Sequence, residues 1–156
     1  LGIDPGLEGA VAVLDSENPS RITAADLPTT GSGTKRCIDE LGLMRWLAPF
    51  DIDHAFIEYV SAMPGWGSGG SFRFGMAFGT LRAIIAMRGV PYTLVTPVKW
   101  KKFHSLPGGD KEAARQRALQ LFPKSAELFA RKKDHQRAEA ALIATYGLQT
   151  QFGSGG

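Results

Sequence analysis

The sequence predicts an α/β fold built on a mixed sheet, and three observations carry that prediction. Two apolar, β-favouring runs, Leu1–Asp4 and Ala10–Leu14, flank a Pro5-Gly6 turn and read as a hairpin. Two further β-favouring runs, Ala55–Val60 and Tyr92–Val95, are separated by stretches of helical periodicity instead of tight turns. After Val95 the patterns are helical only. A hairpin followed by strand, helix, strand, helix, strand and then helices gives a sheet with both antiparallel and parallel neighbours.

The elements follow in order. Arg21–Asp26 is a candidate third strand, and residues 28–35 (Pro-Thr-Thr-Gly-Ser-Gly-Thr-Lys) a flexible loop. Ile38–Phe50 spaces Ile38, Leu41, Leu43, Met44 and Leu47 roughly as a helix does. Ala55–Val60 is apolar on both sides of Glu58, as in a buried central strand. Residues 61–71 are too rich in glycine to hold one conformation alone. Phe72–Arg88 reads as a long helix with Phe74, Phe78, Leu81 and Ile85 on one side, stopped by Gly89-Val-Pro. Pro97–Phe103 is a short basic helix, and Asp110 caps a helix through Leu121. Residues 123–129 form a short helix or turn, and the last helix runs from near Asp134 to about Tyr146. Residues 1–148 make one domain and 149–156 a flexible tail.

Composition bounds the function. With 156 residues, 44% of them hydrophobic and 21% charged, the chain supports one core and no pair of full domains with a cleft between them. No apolar run approaches the ~18 residues of a membrane span. The single cysteine, Cys37, has no internal disulfide partner, and no Cys/His cluster has zinc spacing. A reducing compartment is expected: the cytoplasm, or an organelle if a transit segment precedes Leu1. Asp4-Pro-Gly6-Leu-Glu-Gly9 fits the phosphate hairpin of actin-like sugar kinases, but those need two such domains. No G-x-x-x-x-G-K-[ST] loop is present either, so no nucleotide cofactor is expected. The net charge of +3 hides a split: residues 1–78 hold 5 Lys/Arg against 10 Asp/Glu, and residues 79–156 hold 13 against 5. An acidic half joined to a basic half suits a site that handles a polyanion.

Three features could carry chemistry. Asp4 ends the first strand at a turn, where it either starts an Asp-Pro-Gly turn or presents its carboxylate. Glu58 lies in an apolar strand, where a carboxylate is costly unless it is paired, binds a metal or points outward from an edge. In Arg131-Lys-Lys-Asp134-His135-Gln-Arg-Ala-Glu139, Asp134 can cap the last helix, and His135 and Glu139, four apart, can share a face. On a continuous helix Asp134 and Glu139 point ~140° apart, and they converge more easily if Asp134 lies just outside it. Asp4, Glu58, Asp134 and Glu139 together would make an oxygen-rich site for hard divalent cations. Two such ions can activate water and stabilise the leaving oxygen in phosphodiester hydrolysis.

These residues resemble the RuvC-type Holliday junction resolvases: Ile3-Asp4-Pro5-Gly6 in a hairpin, Ile57-Glu58 on a strand, and Lys133-Asp134-His135-x-Arg137-Ala138-Glu139-Ala140 on the last helix. Lys99-Trp-Lys-Lys102, Leu121-Phe-Pro123 and Ala144-x-Tyr-Gly147 are similar to the plant plastid (monokaryotic chloroplast) branch and its bacterial and phage relatives. The resemblance covers residues 1–147 and implies a ribonuclease H-like fold, a mixed five-stranded sheet flanked by helices. It implies a homodimeric hydrolase of DNA recombination and repair, a crossover junction endodeoxyribonuclease nicking opposed strands of four-way junctions. It implies two Mg²⁺ ions per site, with Mn²⁺ as a substitute, held by Asp4, Glu58, Asp134 and Glu139. In bacterial RuvC the two helix ligands lie three apart; here they lie five apart, with Gln136 at minus three. The plastid and phage-like branch shows the five spacing, so the resemblance implies Asp134, with His135 as the second choice, as metal ligand or general acid–base group.

Substrate contacts are expected from Lys99, Lys101, Lys102, Lys111, Arg115, Arg131, Lys132, Lys133 and Arg137, which would bind phosphates. Trp66 would stack on or wedge between bases, whereas Phe72 suits core packing better. The Phe72–Arg88 helix, with Gly75 and Gly79 four apart, either forms the dimer face or simply covers the sheet. Two other functions are compatible with these residues: a monomeric ribonuclease H-like nuclease acting on RNA–DNA hybrids or branched DNA, and a non-catalytic junction-binding module.

Overall fold

The computed structural model describes residues 1–61, 65–108 and 110–153. Strands β1 (Gly2–Asp4), β2 (Ala10–Leu14) and β3 (Ile22–Asp26) form an antiparallel meander. β4 (Thr29–Thr30) and β5 (Cys37–Ile38) pair with each other. Helix α1 (Glu40–Leu47) leads to β6 (Ala55–Glu58), and α2 (Gly67–Met87) to β7 (Tyr92–Val95). α3 (Pro97–Phe103), α4 (Lys111–Leu121) and α5 (His135–Gly147) follow, with 3₁₀ turns at Pro123–Phe129 and Lys132–Asp134. The main sheet has five strands in the order β3-β2-β1-β6-β7, and β6 lies parallel to both β1 and β7. None of the described helices is long and apolar enough to cross a membrane.

The alternation of side chains along a strand sorts the two faces. Ile3, Ala55 and Ile57 point into a core shared with Leu43 and Leu47 of α1 and Leu81 and Ile85 of α2. Ala10, Ala12 and Ala24 point the other way, onto Ala138, Ala140 and Ala141 of α5 and Ala118 of α4. Phe56 joins Leu142 and Ile143 of α5 and Trp100 of α3. The small residues let α5 lie close against the sheet. A Cβ on Gly2 would overlap the carbonyl oxygen of Ala140, and one on Gly147 would overlap the Phe56 ring. Those two glycines fix the height and the register of α5 over β1 and β6.

Four segments differ from the sequence reading. Residues 28–35 are not all loop, since Thr29–Thr30 pairs with Cys37–Ile38; Arg36 holds the pair by donating to Thr29 Oγ1 at 3.0 Å and the Leu7 carbonyl at 2.9 Å. α1 begins at Glu40 instead of Ile38 because Asp39 accepts from the Gly42 N–H at 2.9 Å, a side-chain cap. α2 starts at Gly67, inside the glycine-rich run, where the Trp66 ring rests 5.0 Å from Phe74 and anchors the first turns; residues 62–64 of that run lie outside the described residues. Residues 149–152, read as part of a flexible tail, continue α5 in a π-type turn, with Phe152 edge-on to His54; residues 154–156 lie outside the described residues.

Candidate active site

The site grows from the C-terminal ends of β1 and β6. Gly2 pairs with Phe56 and Ile3 with Ile57, so carrying the parallel register one residue further sets Asp4 abreast of Glu58. Gly2 and Asp4 share a face by the two-residue period, and that face carries α5. Glu139 directly precedes Ala140, the residue packed on Gly2, and its charge acts on both Asp4 and Glu58. Sheet register and helix docking thus bring three of the expected acids together.

The two strand acids, Asp4 and Glu58, sit where an anion is disfavoured. Asp4 is 8% exposed and Glu58 7%. Burial pushes the Asp4 carboxyl well above the usual carboxylate range, and the charges of Glu139 and Glu58 push it further, against a smaller pull from Lys101 and Lys111. Burial also raises Glu58, opposed by a hydrogen bond from Trp100 and by Lys101, while Glu139 adds to the rise. Trp100 Nε1 donates to Glu58 Oε1 at 2.8 Å, and the indole is fully buried. The sequence placed Trp100 only within the Lys99–Lys102 motif, and a helix of about two turns carries too little periodicity to point it at Glu58.

Asp134 takes a different course. It lies just outside α5 and is 1% exposed, but its carboxylate is engaged locally. The Arg131 N–H donates to Oδ2 at 2.8 Å and Arg131 Nη2 to Oδ1 at 2.7 Å; Arg137 Nη1 stands 3.9 Å from Oδ1. Burial would raise this carboxyl, but the Arg131 hydrogen bonds and both guanidinium charges hold it below the ordinary range. It makes no side-chain bond to the α5 N–H groups, so the expected capping of α5 is replaced by a box with Arg131. His135 sits at the first position of α5, with Nδ1 3.2 Å from the Lys132 carbonyl. Its Nε2 is buried and has no hydrogen-bond partner among the described residues.

The cations divide into two groups. Lys101 and Lys111 act on Asp4, and Lys99, Lys102, Lys132 and Lys133 are exposed. The three arginines expected to bind phosphate are engaged: Arg115 with Glu112 and the carbonyls of Phe129 and Ala130, Arg131 with Asp134, and Arg137 with Asp26 through bonds of 2.7 and 2.9 Å. The exposures of the two aromatics are the reverse of those expected: Phe72 is 68% exposed, whereas Trp66 is half-buried against Phe74.

Asp4 and Glu58 are buried carboxylates without a paired cation in contact among the described residues, and their oxygen donors are of the kind that suits Mg²⁺ or Mn²⁺. Among the described residues no three His, Cys, Asp or Glu side chains are drawn around one point closely enough to hold an ion as they stand.

Neither a protein-family model nor a curated protein matches the chain. Solved structures do. A structure of Thermus thermophilus RuvC in complex with Holliday junction substrate superposes with a TM-score of 0.64 at 14% identity, covering 96% of this chain and 94% of that one. A second T. thermophilus RuvC structure gives 0.55 at 15% identity, covering 94% and 92%. The chain therefore has the ribonuclease H-like fold seen in RuvC, a mixed five-stranded sheet flanked by helices.

Proposed function

We propose that this chain is a metal-dependent, structure-selective endodeoxyribonuclease that resolves four-way DNA junctions as a homodimer. One observation carries the reading: Asp4, Glu58 and Glu139 lie together at the strand ends of a RuvC-like fold, and the two strand acids are buried, with affinity for protons raised by burial and by the charge of Glu139. The plastid-type branch is favoured within the RuvC-like proteins by Lys99–Lys102 and by the motif from Lys133 to Ala140.

Asp4, Glu58 and Glu139 would hold the cations, two per site. When bound, these supply polarisation of the scissile phosphate and a water made acidic enough to attack at neutral pH. His135 joins the acids as a donor from α5: its Nδ1 is taken up by the Lys132 carbonyl at 3.2 Å, and its buried Nε2 has no partner among the described residues and would face the cation. Asp134, expected among the ligands, instead fixes the start of α5 through Arg131 and so positions His135 and Glu139. Lys101 and Lys111 hold the phosphate beside the acids, and the exposed Lys99, Lys102, Lys132 and Lys133 extend the basic track.

The dimer reading rests on α2. Phe72 and Met76 are exposed at 68% and 51%, and beyond Gly75 and Gly79 a Cβ would meet nothing within 4 Å. A two-fold pair would present one site to each of two opposed strands. A panel of four-way junction, flap, duplex and RNA–DNA hybrid, with Mg²⁺, tests the function. Cleavage of the junction above the others supports it; preference for the hybrid by a monomer favours the general ribonuclease H-like alternative.

A further inference from the structure

Trp100 is the largest fully buried side chain beside the site. It lies on α3 among Phe56, Val95, Leu142 and Ile143. A buried indole N–H needs an acceptor, and the one it has is Glu58 Oε1 at 2.8 Å. That bond occupies one carboxylate oxygen and turns the other away from the indole. The Lys101 ammonium lies 5.2 Å from the centre of the same ring, within cation–π range. One rigid side chain therefore touches both an acid and a cation of the site.

We propose that Trp100 is the positioning residue of the metal site: its N–H fixes the Glu58 carboxylate with one oxygen available to a divalent cation, and its ring face orders Lys101 beside it. The proposal rests on the nuclease reading. Trp100 touches neither substrate nor metal; it acts through Glu58, as groups behind metal ligands do when they fix ligand orientation.

The test uses the full chain and Mn²⁺, whose free ion is counted by its electron paramagnetic resonance signal. Trp100→Phe keeps most of the ring and removes the donor. Leu106→Ala loosens the same cluster without touching the hydrogen bond. Trp100→Phe is expected to weaken Mn²⁺ binding about tenfold or more and to lower kcat about ten- to hundredfold, with KM for a four-way junction within about twofold. Leu106→Ala should leave Mn²⁺ binding and kcat nearly unchanged at a comparable loss of melting temperature. In the wild type, adding Mg²⁺ should move the Trp100 indole N–H resonance and leave that of Trp46, on α1, in place; this arm stands even if Trp100→Phe fails to fold. Unchanged Mn²⁺ binding in Trp100→Phe, an equal loss in Leu106→Ala, or an indole resonance that ignores Mg²⁺ overturns the positioning role while the nuclease reading stands. A wild type that neither binds Mn²⁺ nor cuts a junction overturns both.

Discussion

Arg131 grips Asp134 from two directions: its backbone N–H donates to Oδ2 at 2.8 Å, and its guanidinium donates to Oδ1 at 2.7 Å. The pair closes the turn just ahead of α5, one residue before His135. The proposed roles, positioning by Asp134 and metal binding by His135, are therefore separable by substitution. Asp134→Asn should lower stability at neutral pH by about 1–3 kcal/mol, because it weakens a buried, charge-assisted network. The Asp134 carboxyl is held below its usual range, so its contribution is present above the unfolded-state value and is lost as the pH falls through the folded-state value. Denaturant melts of wild type and variant should accordingly converge on acidification. His135→Ala should do the reverse, keeping the melting temperature and costing about ten- to hundredfold in Mg²⁺-dependent cleavage. Equal loss of cleavage with no loss of stability in Asp134→Asn would return Asp134 to the ligands.

Asp4 offers the opposite linkage. Burial and two neighbouring acids raise its affinity for a proton, so the stability it contributes is full below the unfolded-state value and is lost as the pH rises through the folded-state value. Asp4→Asn removes the charge. In the presence of a chelator at neutral pH the variant should be more stable than wild type by about 1–2 kcal/mol, and the gap should close as the pH is lowered. Added Mg²⁺ should raise the melting temperature of the wild type and leave that of the variant unchanged.

Asp4 and Glu58 were legible in the sequence because each is a carboxylate inside or at the end of an apolar strand, where burial demands a reason. The sheet was legible from the apolar, β-favouring runs Leu1–Asp4, Ala10–Leu14 and Ala55–Val60 and the turn and helical stretches between them. The Arg131–Asp134 pairing was not legible, because the sequence shows the distance of Asp134 from Glu139 but not that Arg131, three residues away, takes up its carboxylate. Phe72 and Trp66 exchanged places because a glycine-rich run was read as loop; once Gly67 enters α2, the added turns rotate Trp66 onto Phe74 and leave Phe72 outside. The Trp100 bond joins residues 42 positions apart, and no local pattern predicts it.

The basic residues should separate by salt dependence. Lys101→Ala and Lys111→Ala should each flatten the slope of log binding constant against log salt by about 0.9 on junction DNA. Arg115→Ala should leave that slope alone and lower the melting temperature, since its guanidinium braces the carbonyls of Phe129 and Ala130 ahead of the Arg131 turn. Fluorescence anisotropy titrations at several salt concentrations distinguish the two classes.

The exposed apolar side chains of α2 give the proposed dimer its test. Met76→Arg places a charge in the centre of that surface, within two turns of Gly75 and Gly79. Sedimentation velocity should show a dimer for wild type and a monomer for the variant, with the melting temperature little changed because Met76 is half exposed. A monomeric wild type at micromolar concentration would remove the two-fold arrangement.

The most direct measurement is strand mapping of cleavage on a synthetic four-way junction, end-labelled on each strand in turn, with Mg²⁺ and beside Asp4→Asn. Wild type should give paired nicks at symmetric positions on two opposed strands near the crossover, and Asp4→Asn should bind the junction without cutting it. Binding without any Mg²⁺-dependent cut, or cutting that survives Asp4→Asn, would contradict a nuclease centred on Asp4, Glu58 and Glu139.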